Sequence, residues 1–212
     1  MKYFILALVI LFLCLNLVPA QSFKVKSSGI QTFNFEDKSG RNQATFTSQA
    51  PLEDINGTAS GISGTVSFDP ANFAKTLKGK ILVQVASINT GIELRNHHLQ
   101  SANWLDAKNY PSVSFEIVSV YDLKQVADNK LEFKIKGNFS AHGITKEVTA
   151  DAESSYLIES EATQKRAPGD LLGVHAKFNI KLSEFNVDNA LIGNKVSENI
   201  EIGVNLVGSN KM

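Results

Sequence analysis

The chain has 212 residues, with 21 basic side chains, 21 acidic side chains and a single cysteine. It contains no long block of like charge. This balance argues against a nucleic-acid partner, because such binding depends on neutralising phosphates with clustered basic residues.

The first 20 residues have the pattern of a cleavable secretory signal. A lysine at position 2 precedes an unbroken apolar run over residues 4–15, and the segment ends at the small residue Ala20. This run is shorter than the roughly 20 apolar residues that a membrane span needs. We therefore predict cleavage after Ala20 and a periplasmic or secreted protein whose single domain spans residues 21–212. An uncleaved N-terminal anchor is the alternative.

The predicted mature chain has no cysteine, because Cys14 lies within the signal. Small exported domains often depend on disulfides. This domain must instead be stabilised by an apolar core, for which its length is sufficient.

Alternation of apolar and polar residues predicts antiparallel strands along most of the mature chain. In the segment 131–139, Leu131, Phe133 and Ile135 share one face and Glu132 and Lys134 share the other. Other alternating segments are 62–68, 80–88, 113–121, 144–158, 174–182 and 200–206. Residues suited to tight reversals occur at Asp37–Gly40, Asn56-Gly57, Asp69-Pro70, Lys78-Gly79, Asp128-Asn129 and Pro168–Asp170. The chain is therefore predicted to be an antiparallel sheet protein.

Residues 92–107 break the alternation and predict one or two short helices. Leu94, His98, Leu99 and Leu105 are available for the inner face of this segment. About eight strands without a second helical layer fit either a sandwich or a closed barrel, and periodicity does not choose between them. An eight-stranded barrel is wide enough to enclose one small ligand.

The middle and C-terminal parts of the chain contain an ordered set of short motifs: Ser87–Gly91, Arg95–Ser101, Asn103–Asp106, Tyr110–Phe115, Gly137–Val148, Leu182–Val187 and Val196–Ile202. In this order and spacing they resemble the YceI-like family of bacterial periplasmic proteins. The resemblance extends from about Phe23 to Val207. It implies an all-β fold: a single antiparallel eight-stranded lipocalin-like barrel with a long apolar channel. It also implies an isoprenoid lipid as the ligand, either an isoprenoid quinone or a prenyl phosphate.

The apolar strand faces carry most of the phenylalanines that remain after signal removal. Residue patterns alone favour a filled core for them, whereas the resemblance favours a channel that holds a branched tail through undirected contacts. The residues predicted to line the channel are Phe68, Val83, Phe115, Phe133, Phe139 and Phe178. Arg95 is counted with these ligand-binding residues; packing and hydrogen bonding in the helical cap are its favoured roles, as for His97 and His98, and contact with a phosphate or quinone head group is the alternative. A fatty acid or amide is the alternative ligand, and a structural barrel with a filled core is the alternative function.

The sequence gives little support for catalysis or metal binding. His97 and His98 are adjacent, so a helix directs them about 100° apart, and no nearby carboxylate completes a metal pattern. The mature chain has no cysteine nucleophile, no Gly-x-Ser-x-Gly elbow and no glycine-rich phosphate loop. A hydrolase using His97, His98 or His142 is the least favoured alternative. We predict no catalytic residue, no metal and no cofactor, and a transient contact with a membrane.

Overall fold

The computed structural model describes residues 21–37 and 39–211. The predicted signal and its cleavage after Ala20 lie outside the described residues. The strands are β1 (Gln31–Asn34), β2 (Gln43–Gln49), β3 (Asp54–Ala59), β4 (Ile62–Phe68), β5 (Lys78–Gln84), β6 (Ile88–Asn89), β7 (Ser112–Ala127), β8 (Lys130–Ala141), β9 (Ile144–Leu157), β10 (Leu171–Lys181) and β11 (Asn199–Ser209). The helices are α1 (Phe73–Thr76), α2 (Glu93–Gln100) and α3 (Glu161–Gln164), with 3₁₀ turns at Pro70–Asn72, Val85–Ser87 and Leu182–Phe185.

These strand segments form a closed antiparallel barrel of eight strands. The segment pairs β1/β2, β3/β4 and β5/β6 each form one interrupted barrel strand, since both members of each pair lie against the same neighbouring barrel strand. Each strand pairs with the next along the chain, and β1 and β2 both pair with β11 to close the ring. The predicted barrel is therefore confirmed. Closure removes the exposed edges that a sandwich would have to protect.

The seam between the first and last strands is completed by one side chain. The strand pairing is interrupted between Asn34, the end of β1, and Gln43, the start of β2, and Asn42 is fully buried there. Its Nδ2 donates to the carbonyl oxygens of Phe35 and Val207 at 2.8 and 3.1 Å, and its Oδ1 accepts from the backbone N–H of Val207 at 2.8 Å. The amide thus takes the place of a strand residue opposite β11. Arg166 also donates to Asn42 Oδ1, at 3.0 Å.

The predicted turn at Asn56-Gly57 is wrong, because both residues lie inside β3. Asn-Gly is typical of hairpin turns because both residues tolerate positive φ. Here, however, Gly57 is required because it has no side chain. A Cβ atom at Gly57 would lie 2.2 Å from Cε1 of Phe46 on the adjacent strand. Lys78-Gly79, also predicted as a turn, forms the start of β5, where the Gly79 position lies against the backbone of Val66.

The two ends of the barrel differ. One end is closed by residues 21–30, by the segment Pro70–Thr76 and by the loop 158–170, and it contains most of the fully buried aromatic rings. The other end carries α2, the β8–β9 turn and the long connection 182–198. Helix α2 lies within the predicted helical segment 92–107, and none of its residues is buried. Within residues 21–37 and 39–211, no helix has the length and hydropathy needed to span a membrane.

Candidate ligand-binding cavity

A cavity of about 500 Å³ occupies the interior of the barrel. Its wall is almost entirely apolar, because the inward-facing positions of the long strands are aliphatic or aromatic. The few polar side chains on its surface include Ser48 and Ser154, whose hydroxyls are hydrogen-bonded to the backbone at Ser197 and Gly173. The interior is therefore not filled by side chains, and the space suits an apolar group without directional requirements.

Six of the seven residues predicted to bind ligand line this cavity. Five of them come from the barrel strands and one from α2: Val83, Phe115, Phe133, Phe139, Phe178 and Arg95. Phe115 and Phe139 both contact Phe178, with ring centroids 5.6 and 5.3 Å apart, and form an aromatic wall. The structure therefore brings residues from several strands together around one space.

Phe68 does not line the cavity. It is 0% exposed and lies in an aromatic cluster below the cavity at the closed end. We define the aromatic floor as the six side chains of this cluster, namely Phe23, Phe33, Phe68, Phe73, Phe133 and Tyr156. Only Phe73 and Phe133 of the floor reach the cavity surface. Alternation correctly placed Phe68 on the inner face, but it contains no information on height along the barrel axis.

Glycines beside two phenylalanines keep the lumen open. A Cβ atom on Gly137 would lie 2.3 Å from Cε1 and Cζ of Phe115, just as Gly57 makes room for Phe46. Each ring therefore lies flat over a glycine of the adjacent strand instead of projecting into the lumen. Both rings remain on the cavity surface.

Helix α2 and its neighbours form the mouth of the cavity. Asn96 fastens the helix to the chain before it: its Oδ1 accepts from the backbone N–H and the hydroxyl of Thr90, both at 2.8 Å, and its Nδ2 donates to Asn89 at 3.1 Å. The predicted inner-face residues Leu94, His98, Leu99 and Leu105 all line the cavity. Trp104 is buried beside them and also lines it.

Arg95 projects into the mouth, where Nη2 lies 3.4 Å from both carboxylate oxygens of Glu53. The Arg95 side chain is only 24% exposed, whereas Glu53 is about half exposed. Lys195 also lines the cavity and comes from the connection between β10 and β11. The charged groups of the site, Glu53, Arg95 and Lys195, are thus concentrated at one end of an apolar space.

Sequence reasoning missed the contribution of the connection 182–198. Leu191, Lys195 and Val196 line the cavity from this segment. They belong to a loop without alternation, so no periodic signal marked them. The family resemblance included Val196 in a motif but gave it no position at the mouth.

The histidines have separate positions. His97 is exposed and its Nε2 lies 3.7 Å from Glu93 one helical turn away, while His98 lines the cavity. His142 lies in the β8–β9 turn, where its Nδ1 is 2.9 Å from the carbonyl oxygen of Phe185. In the described part of the chain, no group of three or more His, Cys, Asp or Glu side chains is placed to hold a metal ion.

The fold and cavity define a class of protein: a closed antiparallel β-barrel that encloses an apolar space with charged side chains at its mouth. Residues 32–208 match the model of the YceI-like domain, and the chain belongs to this family. It is 30% identical to Protein YceI of Salmonella arizonae over 152 residues, which is 72% of each chain. The predicted family is therefore confirmed.

Solved structures share the fold. The crystal structure of BcnA from Burkholderia cenocepacia has a TM-score of 0.62 at 21% identity, covering 81% of this chain and 99% of that one. A domain from Saccharophagus degradans, described as polyisoprenoid binding and implicated in plant cell wall breakdown, has a TM-score of 0.60 at 10% identity, with coverages of 84% and 98%. The Campylobacter jejuni YCEI protein has a TM-score of 0.56 at 21% identity, with coverages of 75% and 86%.

Proposed function

We propose that this chain is an extracytoplasmic carrier or reservoir that holds an isoprenoid-type lipid in the barrel and performs no chemical step on it. The observation that carries the proposal is the enclosed apolar cavity with its charged side chains at one end. An isoprenoid quinone or a prenyl phosphate has a long apolar tail that matches the apolar interior and one polar head that matches the charged mouth. The description of the Saccharophagus domain as polyisoprenoid binding supports the same class of ligand.

The tail supplies most of the expected affinity. Burial of one CH₂ contributes about 0.8 kcal/mol, so a five-carbon isoprene unit contributes about 4 kcal/mol before ordering costs are subtracted. The aromatic and aliphatic wall contacts a branched tail without requiring particular bond directions. The head group is then needed mainly to set the orientation of the molecule.

Native mass spectrometry of the protein purified from the periplasm or medium of its own source tests the proposal. We expect a bound mass that disappears on organic extraction and is identified as an isoprenoid lipid in the extract. If the extract instead contains a fatty acid or fatty amide, the carrier function stands but the proposed isoprenoid ligand is wrong. A protein that stays empty after incubation with isoprenoid quinones and prenyl phosphates would contradict the carrier function.

Arg95 is proposed to contact the head group. A guanidinium donates several hydrogen bonds in a fixed geometry that matches a phosphate, and Glu53 engages only Nη2 of Arg95 among the hydrogen bonds of the described residues. We expect Arg95→Met to weaken binding of a prenyl monophosphate at least tenfold while changing binding of the corresponding prenyl alcohol little. Lys108→Met is the matched control, because Lys108 is exposed and does not line the cavity. Equal effects of Arg95→Met on both ligands would assign Arg95 to packing of the cap.

The mouth is also proposed to contact a lipid bilayer transiently. Leu94 is 65% exposed and Leu191 is 42% exposed, yet both also line the cavity. The apolar surface is thus continuous from the outside of the mouth to the lumen, which lets a tail pass between bilayer and barrel with little exposure to water. Leu94→Ser should reduce the rate of lipid uptake from neutral phosphatidylcholine vesicles, whereas Val126→Ser, which alters an exposed valine on β7, should not. Equal uptake by all three proteins would contradict bilayer contact through this rim.

A further inference from the structure

We infer that the aromatic floor is a fixed stop that limits the bound tail to about four isoprene units, and that Phe73 is the residue that sets this limit. The inference rests on the proposed function and specifies its ligand class by tail length. It is carried by three observations: the volume of the cavity, its depth, and the packing below it.

The volume indicates a tail of about 20 carbons. An enclosed apolar cavity of about 150 Å³ holds one benzene molecule, so a cavity about three times larger accommodates about 20 carbons. The cavity measures about 500 Å³. Four isoprene units contain this number of carbons, whereas a tail of eight units contains twice as many.

The depth leads to the same length independently. Phe133 at the floor and Ala141 near the mouth both line the cavity and lie eight residues apart on β8. At about 3.4 Å per residue and a strand tilt of about 40°, this separation corresponds to about 20 Å along the barrel axis. A fully extended chain advances about 1.2 Å per covalent bond, so about 16 backbone carbons span this depth. Each isoprene unit contributes four carbons to the tail backbone, which again corresponds to four units.

The floor is packed in two layers. Phe73 and Phe133 form the upper layer, with ring centroids 5.1 Å apart. Phe23 and Phe68 lie directly beneath Phe73, at 5.3 and 5.0 Å, and both are almost completely buried. These separations are typical of aromatic rings in contact, so no space for a tail remains between the layers.

Hydrogen bonds hold the lower layer in place. The Tyr156 hydroxyl and the Ser27 hydroxyl both donate to Oδ2 of Asp170, each at 2.7 Å. The backbone N–H of Phe23 donates to the carbonyl oxygen of Pro70 at 3.1 Å. Displacing these rings would leave buried polar groups without partners. The floor is therefore a stop and not a second opening.

Phe73 is the residue of this stop whose size sets the depth of the cavity. It comes from the short helix α1, which is held between the chain reversal after β4 and the barrel, and its ring faces the lumen from below. Removing the ring creates additional space of about one benzene, or roughly one more isoprene unit. A tryptophan at the same position adds three non-hydrogen atoms and so removes about half as much space from the lumen.

The test measures binding of all-trans prenyl alcohols of two to eight units, using native mass spectrometry and thermal shift on delipidated protein. For the unaltered protein we expect affinity to rise from two to four units and then to level off or fall. Phe73→Ala should move the optimum to five units and tighten binding of the five-unit alcohol about tenfold. Phe73→Trp should weaken binding of the four-unit alcohol more than that of the three-unit alcohol, and Phe73→Leu gives a smaller shift towards longer tails if the alanine variant does not fold.

Phe33→Ala is the matched control, because Phe33 is an equally buried ring of the floor that does not reach the cavity. It should lower the melting temperature without moving the optimum. Affinity that keeps rising to eight units in the unaltered protein, or an optimum that none of the Phe73 variants moves, would overturn the length limit and leave the carrier function standing. Absence of binding at every tail length would overturn the proposed function itself, and the length limit with it.

Discussion

Val83→Trp distinguishes an open lumen from a packed core. Val83 lies on β5, pairs with Val113 of β7 and lines the cavity. A tryptophan places about seven more non-hydrogen atoms in a lumen with room for about 20 carbons, which is about a third of its capacity. In a packed interior the same change would cost about 1–3 kcal/mol of stability. In this barrel we expect the ligand-free protein to lose less than about 1 kcal/mol.

The loss should appear in ligand binding, and it should depend on tail length. Displacing one five-carbon unit removes about 4 kcal/mol of burial before the tail rearranges. Rearrangement recovers part of this free energy, so we expect at least tenfold weaker binding of a four-unit prenyl alcohol, which corresponds to about 1.4 kcal/mol. A two-unit alcohol still fits in the remaining space and should bind almost as before.

The assay combines urea unfolding of delipidated protein with titration of both alcohols. Val118→Trp is the control, because Val118 is exposed on the outer side of β7 and does not line the cavity. It should change neither stability nor binding appreciably. A large loss of stability in Val83→Trp, with both alcohols affected equally, would refute the description of this wall as ligand-facing.

Two further predictions concern the wall and the seam. Gly137→Ala should push the Phe115 ring into the lumen, since the new Cβ would lie 2.3 Å from it; we expect a loss of about 1–3 kcal/mol of stability and weaker binding of long tails. Burial opposes ionisation of Asp37, but hydrogen bonds from Arg166 and from backbone N–H groups outweigh it and lower its pKa to about 2 from 3.8. The resulting stabilisation, up to about 2 kcal/mol, is therefore fully present above about pH 4 and lost as the pH falls towards 2. Arg166→Met should remove part of this pH dependence in urea unfolding measured between pH 2 and 7.

Each of these two predictions has a control in the same fold. Gly173→Ala places its Cβ no closer than 3.8 Å to any neighbour, so it should leave stability unchanged or slightly higher. Lys177→Met removes a partner from the exposed ion pair with Glu201, and such pairs contribute little to stability. If Gly137→Ala behaves like Gly173→Ala, the Phe115 ring is free to move elsewhere. An acid slope that Arg166→Met leaves intact would mean that Arg166 is not what lowers the pKa of Asp37.

The sequence was informative wherever one physical signal dominated. Strong alternation predicted β4 at Ile62–Phe68 with its observed bounds and located β8 to β11 to within three residues, whereas β7 extends six residues beyond the predicted segment 113–121. It failed over β2 and β3, where Asn56-Gly57 suggested a turn although the glycine accommodates a ring from the adjacent strand. The need for a glycine at this position arises only once β2 and β3 are paired, so the local sequence around Asn56-Gly57 does not reveal it. Local propensity therefore gave the wrong answer for a tertiary reason.

For the candidate site, the sequence predicted which side chains face the interior but not their height along the barrel axis. Alternation identifies which residues face inwards, so Phe139 and Phe178 were correctly expected on the inner surface. It does not reveal how far along the axis the interior becomes solid, and Phe68 therefore lies in the floor. The choice of a hollow interior came from family resemblance, because packed and hollow barrels have the same alternating pattern. Loop residues such as Leu191 had no periodic signal at all.

The seam completed by Asn42 has a consequence for how the chain reaches its native state. Neighbouring strands are joined in sequence order, so each hairpin forms from contacts that are local in the chain, but the closing pair joins Asn34 to Ser209. Contacts of such large sequence separation form slowly. Before they form, the sheet is open and its apolar inner face is exposed to water, a state prone to association with other chains. Substitutions at Asn42 should therefore slow the final folding step and increase aggregation during refolding, even where the equilibrium stability of the closed barrel changes little.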